Sequence, residues 1–564
     1  MEPQPEFGPR MEGDQVRFAL WAPDAAEVVL VVEDRRDRKM QKLADGWYGI
    51  TLAGGAGLRY RFRIDDTLCP DPAARRQEGG PHGWSVVTAP ERPDSWRGRP
   101  WHETVLYECH AGLMGGFTGV AERLPALAQI GITAIELMPI AAFPGGRNWG
   151  YDGVLPYAVA EAYGTLAELR ALLAKAHALG TSVLLDVVYN HFGPDGNFLP
   201  LYASRFFRDD VQTPWGPAID FRVPQVRRFF ADNARYWLFE VGFDGLRFDA
   251  VHAMADDGWL DELAMQLKRE GGQRPVHLVL ENEHNQAHRL RQGFDAQWND
   301  DIHHAVHVML TGEEQGYYQD FAEEPAVLLA KALKDGFIYQ GQASHSRDGA
   351  PRGEFSGDLD PTAFIDFLQN HDQTGNRALG ERLSSLTSTP ALKAAAALQL
   401  LSPHIPMLFM GEECGSQTPF LYFTDHGPEL AAAVREGRRR EFAAFHNQGA
   451  AIPDPNDAAT FAASDPWREA PQAQAWQEFY HDLLTLRQKW IVPRLPGAGA
   501  LGAQALGDKA VMARWRMGDG WVLTLACNLG NEPVSAALLG DEPFYGEKAT
   551  EIAPATTLAW LTAP

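Results

Sequence analysis

The first 90 residues alternate apolar and polar positions with a period of two. Val16-Arg17-Phe18-Ala19-Leu20 and Tyr60-Arg61-Phe62-Arg63-Ile64 alternate, and Val28 to Val32 is a short apolar run, with Gly-rich turns between them. Period two sends successive side chains to opposite faces of a strand, so residues 1–90 are expected to form a small β-sandwich. The Pro-, Arg- and Gly-rich stretch from Cys69 to Pro100 reads as a linker packed along the next domain.

From Val105 the rhythm changes. Short apolar runs alternate with helical segments, the pattern of βαβ units and a parallel sheet. The expected strands are Val105-Leu106-Tyr107, Ala134-Ile135-Glu136-Leu137, Val183-Leu184-Leu185-Asp186 and Gly245-Leu246-Arg247-Phe248-Asp249. They continue with His277-Leu278-Val279-Leu280, Ala296-Gln297-Trp298, Phe364-Ile365-Asp366-Phe367 and Met407-Leu408-Phe409-Met410. One intervening helix is fully punctuated. Thr165 and Glu168 make a capping box, Leu169, Leu172, Leu173 and Ala176 the apolar stripe, and Gly180 the stop. Eight such units across residues 91–492 predict a (β/α)₈ TIM barrel with long insertions. After a helical stretch from Trp476 to Trp490, alternation returns in Val511 to Trp515 and Trp521 to Leu525. Residues 493–564 are therefore expected to be a small antiparallel β domain. The expected class is α/β, a barrel between two β domains.

Charge narrows the partners. The formal net charge is −24, from 50 basic and 74 acidic side chains, which argues against nucleic acid and other polyanions. Aromatic side chains make up 11% of the chain, and their flat apolar faces with polar edges suit sugar rings. Cys69, Cys109, Cys414 and Cys527 are far apart, so isolated buried thiols are expected and a disulfide framework is not. The first residues carry neither a basic region nor an apolar run, and no apolar stretch reaches the roughly 20 residues that span a bilayer. The expected compartment is the cytoplasm, with no membrane partner.

Barrel active sites lie at the C-terminal strand ends. Four of these ends finish in charged or amide residues: Asp186-Val-Val-Tyr-Asn190-His191, Gly245-Leu-Arg247-Phe-Asp249-Ala-Val-His252, Leu280-Glu281-Asn282-Glu283 and Gln369-Asn370-His371-Asp372. Any one of them alone reads as a helix cap or loop carboxylate; four on one rim point to chemistry. Retaining glycoside cleavage needs a carboxylate nucleophile and a carboxylic acid roughly 5–5.5 Å apart. Asp249 is the expected nucleophile, with Arg247 two residues earlier on the same strand face to hold it ionised. Glu281 is the expected acid/base, its pKa raised by nearby carboxylates. Asp372 is the expected third acid, on the hydroxyls beside the reacting carbon, with His191 and His371 as donors to the same hydroxyls.

These segments resemble the signature regions of the α-amylase superfamily of glycoside hydrolases, in order and spacing. Trp149-Gly150-Tyr151-Asp152 resembles that superfamily's motif after strand two, where the tyrosine stacks on the sugar being cleaved. Further blocks resemble the malto-oligosyltrehalose trehalohydrolase family. They are Asn190 to Asn197, Ala296 to His304, Gly312 to Tyr318, Gly411 to Gly415, Thr418 to Phe423 and Arg435 to Phe442. The resemblance implies an accessory Ig-like sandwich before the barrel. It also implies hydrolysis of the α-1,4 bond next to the terminal trehalose of maltooligosyltrehalose, releasing trehalose, after a synthase that isomerises the reducing end. Tyr151, Asp152, His191, Arg247, His252, Trp215, Glu283 and His371 complete the expected substrate-binding set. Trp215 and Glu283 are placed toward the leaving trehalose, and each reads equally as a packed loop residue.

Asn190 matches a calcium-binding position of many α-amylases, but six or more oxygen ligands cannot be assembled around it, so a structural role is expected, with no metal and no cofactor. Cys414 stands where an aromatic is usual and is expected to loosen an outer subsite. The aromatic run Phe420 to Phe423 reads as a cover over the glucan end or as core. His252-Ala253 replaces the Lys-His of many α-amylases and weakens a plain amylase reading. An α-1,4-glucan branching transferase is the main alternative, and Tyr189-Asn190 before His191, in place of a Pro-Ala-His-like pattern, counts against it. Debranching of α-1,6 links is weaker. A non-catalytic glucan-binding relative is disfavoured because all three carboxyl groups are present.

Overall fold

The computed structural model describes residues 5–256, 258–442, 451–535, 542–548 and 550–564. At its centre eight parallel strands close into a barrel: β1 (Leu106–Cys109), β2 (Ala134–Leu137), β3 (Ser182–Val187), β4 (Gly245–Phe248), β5 (His277–Leu280), β6 (Ala296–Trp298), β7 (Phe364–Asp366) and β8 (Ile405–Phe409). They are the eight expected from sequence, and β1 closes on β8 with Leu106 opposite Met407. Leu106, Ala134, Leu184, Val279, Trp298, Ile365 and Met407 share one buried cluster inside it, a packed floor under the site. The helix after β2, Leu166–Ala178, has the expected capping box and buries Leu169, Leu172, Leu173 and Ala176.

The N-terminal region is a two-sheet β domain. Gln15–Trp21 pairs with Trp47–Ala53 in one sheet, and Val28–Val32 with Arg59–Ile64 in the other. The stretch from Cys69 to Pro100 is not simply a linker. Gln77–Glu78 and Trp84–Val86 extend the second sheet, in strands too short to show an alternation between their Gly and Pro neighbours. The remainder is strapped to the barrel: Trp96 stacks on His177 and its indole N–H donates to Asp244 (2.8 Å).

At the other end four antiparallel strands, Gly499–Gly507, Ala510–Arg516, Val522–Asn528 and Thr556–Thr562, form the C-terminal sheet. Thr557 and Lys509 donate to the carbonyls of Ala394 and Met309 on barrel helices, fixing the sheet to the barrel wall. All four cysteines are buried and free. Among the described residues no helix is long and apolar enough to cross a membrane.

Candidate active site

Three of the four charged strand ends converge on one guanidinium. Arg247 on β4 is fully buried and donates to Asp186 on β3 (2.7 Å), to Asp249 (2.9 Å) and to Glu281 just past β5 (2.7 Å). Its face lies 4.0 Å over the Trp298 ring of β6. A planar cation with several fixed donors suits this task, because it sets the spacing and direction of three carboxylates at once.

The backbone completes the grip on Glu281. Ala250, directly after Asp249, sits at φ +39, a conformation that costs energy for a residue with a Cβ. Its N–H donates to the Glu281 carboxylate (2.8 Å), and the N–H of Val251 to the Glu281 carbonyl (3.0 Å). Asn190 Nδ2 donates to the Asp249 carboxylate (2.7 Å) and to its carbonyl (2.8 Å). Glu281 titrates well above the usual carboxylate range. Burial is the main cause, with Asp249, Asp372 and Asp300 adding and Arg247 opposing. The rise expected from neighbouring carboxylates is thus secondary to desolvation. Burial likewise lifts Asp186 to about 6, against the pull of Arg247.

Asp372 enters from β7 on a short helix, His371–Gly375, whose N-cap Asn370 accepts from the N–H groups of Asp372 and Gln373. Burial pushes the Asp372 carboxyl up, but the charge and hydrogen bond of His371, helped by Arg247 and Asn376, hold it below its ordinary value. His371 presents neither ring nitrogen to solvent: Nδ1 pairs with Glu108 of β1 and Nε2 faces Asp372 at 3.3 Å. Tyr151 stacks on that imidazole and donates its hydroxyl to Asp186 (2.7 Å). Gly150 makes the approach possible, since at φ +109 a Cβ would lie 2.1 Å from the Pro139 carbonyl. Asp152 accepts from Asn148 beside it.

A cavity of about 280 Å³ opens beside these groups, lined by Glu281, Asp372, His252 and Glu283 among the expected residues. It is also lined by Trp298, Asp300, His304, Tyr317, Phe321, Ser346, Arg352, Asn370, Gln373 and Asn376. None of these ten was expected as a site residue from sequence, although four of them, Trp298, Asp300, His304 and Tyr317, fall in the blocks Ala296 to His304 and Gly312 to Tyr318 that carried the family resemblance. Burial raises Asp300 to about 7. Trp215 stands at the tip of a hairpin formed by Phe207–Thr213 and Gly216–Ile219, 48% exposed, stacked on His191 at 4.7 Å and 9°. His191 has both nitrogens engaged, with Asn190 and with the Tyr151 carbonyl. Glu283 is drawn to Arg347 and His252 rather than standing free.

One expectation changes and one open choice is decided. Cys414 is not among the residues lining the cavity; it is buried, with its Sγ on the Gly411 carbonyl. Phe420 and Phe423 are wholly buried and belong to the core.

The comparisons with known proteins agree with this architecture. Residues 81–200 match the α-amylase catalytic domain, residues 6–74 carbohydrate-binding module 48 (isoamylase N-terminal domain), and residues 498–562 a domain of unknown function (DUF3459). The malto-oligosyltrehalose trehalohydrolase of Saccharolobus solfataricus is 43% identical over 77% of this chain and 80% of its own. That of Mycobacterium tuberculosis is 38% identical over 97% of this chain and 99% of its own. A crystal structure described as a putative alpha amylase from Salmonella typhimurium superimposes with a TM-score of 0.93, at 41% identity, over 99% of both chains. The chain belongs to the malto-oligosyltrehalose trehalohydrolase family and carries its α-amylase-type catalytic domain.

Proposed function

We propose that this enzyme hydrolyses the α-1,4-glucosidic bond next to the terminal trehalose of a maltooligosyltrehalose, with retention at the anomeric carbon. The observation that carries the chemistry is the shared guanidinium: Asp249 and Glu281 each lie one hydrogen bond from Arg247, at 2.9 and 2.7 Å. Two carboxyl groups so clamped fit the short spacing, about 5–5.5 Å, that retention requires. The substrate follows from family membership.

Asp249 attacks the anomeric carbon while the Glu281 proton passes to the glycosidic oxygen, and trehalose departs. Glu281, now ionised, takes a proton from water, whose oxygen displaces Asp249 and returns the sugar with its original configuration. Glu281 suits the first task because burial raises its pKa well above the usual carboxylate range, which favours the protonated acid. Asp372, held low by His371, stays ionised to accept from sugar hydroxyls and to favour the oxocarbenium-like charge. Tyr151 offers its ring to the sugar at the cleavage point, Asp152, His252, Trp215 and Glu283 serve as substrate-binding groups, and His191, whose ring nitrogens are engaged, backs the Trp215 ring. The substrate is supplied by a synthase that isomerises the reducing end of a maltooligosaccharide, and the enzyme works with it in the cytoplasm.

The test is product analysis with maltotriosyltrehalose and maltopentaose, with the newly formed anomer read by NMR in the first minutes. Rapid trehalose release with an initial α-anomer is expected. Comparable attack on both substrates would move the reading to a general amylase, new α-1,6 branches to a transferase, and an initial β-anomer would remove retention.

A further inference from the structure

Residues 342–352 form a strap across one side of the cavity mouth. Gln342–Ala343 pairs with Pro351–Arg352, and a turn at His345–Arg347 makes the tip. From residue 341 to 350 only Ser344 is buried. Apolar packing therefore does not hold the strap; polar anchors do. Arg352 fixes the foot, donating to the Glu283 carbonyl (2.9 Å) and pairing with Asp301 (2.9 Å). Arg347 reaches the Glu283 carboxylate.

The tip hangs on Asp320, a buried residue 22 positions before the strap begins. One carboxylate oxygen accepts from the hydroxyls of Ser344 (2.6 Å) and Ser346 (2.8 Å); the other accepts from the N–H groups of His345 (2.8 Å) and Ser346 (3.1 Å). A carboxylate receiving four donors is an unusually strong single fastening for an exposed loop. Burial opposes its charge, and the four donors outweigh burial and keep it ionised.

We propose that Asp320 is a positioning residue for substrate selection: by pinning the strap it shapes the wall that receives the leaving disaccharide, and so sets the preference for trehalose-ended over plain maltooligosaccharides. Ser346 and Arg352 line the cavity with Glu281, and Arg347 and Arg352 both hold Glu283, two residues beyond it. Glu281 protonates the leaving oxygen in the reading given above, on which this inference rests. The wall beyond it therefore meets the leaving group. Trehalose and maltose differ in the direction of their second ring. A fixed wall discriminates between two such shapes, whereas a loose one adapts to both.

The experiment compares wild type, Asp320→Ala and Ser344→Ala on maltotriosyltrehalose, maltopentaose and 4-nitrophenyl α-maltotrioside, whose small leaving group does not need the wall. For Asp320→Ala the ratio of kcat/KM between the first two substrates should fall about tenfold or more, mostly through KM, as expected for losing hydrogen bonds to a charged group. The aryl substrate should be turned over within about twofold of wild type, since no group in contact with the reacting bond has changed. Equal losses on all three substrates, or an unchanged ratio, would overturn the proposal. Should Asp320→Ala not fold, Ser344→Ala, which removes one hydroxyl outside the cavity, must still lower the ratio by about threefold; an unchanged ratio there overturns it. A wild type without preference for maltotriosyltrehalose refutes the substrate reading itself and the inference with it. A preference that both variants keep refutes the inference alone.

Discussion

Asn190 holds Asp249 from two directions: its amide nitrogen donates to the carboxylate at 2.7 Å and to the carbonyl of the same residue at 2.8 Å. The side chain thus ties the end of β3 to the end of β4 and fixes the orientation of the expected nucleophile. Asn190→Ala should keep the fold and lower kcat by about 10- to 100-fold, the cost of a lost hydrogen bond to a charged group. Asp249→Asn, which removes the nucleophile, should lose roughly 10⁴-fold or more. Steady-state rates on protein checked by circular dichroism decide both. A folded Asp249→Asn enzyme at wild-type rate would refute the nucleophile assignment.

Glu281 must carry its proton to release the leaving group, and its pKa lies well above the usual range because it is buried. Activity should therefore fall as pH rises through that raised value. Glu281→Gln should depress turnover of maltotriosyltrehalose strongly and of an activated aryl glucoside much less, because the aryl leaving group needs little protonation. With the aryl substrate the alkaline fall should also disappear. An alkaline limb that survives in Glu281→Gln would assign it to another group.

Trp215 presents one face to His191 and remains 48% exposed. An aromatic so placed is available to stack on a sugar ring, at a modest energy. Trp215→Ala is expected to raise KM for maltotriosyltrehalose about three- to tenfold with kcat nearly unchanged. Loss confined to kcat would instead mean that the indole acts on His191 and the site behind it.

On the outer side of the barrel, His177 bridges Asp94 (2.8 Å) and Asp244 (3.0 Å), joining the strapped segment to the start of β4. Burial opposes its charge, but Asp244 and Asp94 outweigh burial and raise its pKa above the ordinary value. A base whose pKa is higher folded than unfolded stabilises fully below the unfolded value, about 6.5, and the contribution is lost as pH rises through the folded value. Wild-type Tm should accordingly decline across that interval. In His177→Gln the decline should be smaller, and two parallel Tm profiles would show that the bridge contributes nothing.

Much of the barrel was legible locally. Each strand announced itself by an apolar run, and all eight fell within two residues of their observed starts. The capping box at Thr165 and Glu168 formed as written, since both partners lie within one helical turn. The charged residues at four strand ends could be placed on one rim because a strand's end and a barrel's active face are linked by topology alone.

The chain itself determined where the strands, caps and rim carboxylates stand, because side-chain periodicity and capping are read over a few neighbouring residues. Tertiary structure alone decided which of them meet. Glu108 finds His371 across 263 residues, through the closure of β1 on β8. That Arg247 serves Asp186, Asp249 and Glu281 together depends on the stagger of three adjacent strands, which no strand's own pattern encodes. The short strands at 77–78 and 84–86, and the grip of Asp320 on Ser344 and Ser346, are of the same kind. Their residues carry no periodic signal, and their hydrogen bonds form only when the N-terminal sheet, in the first case, and the loops around the barrel, in the second, bring the segments side by side.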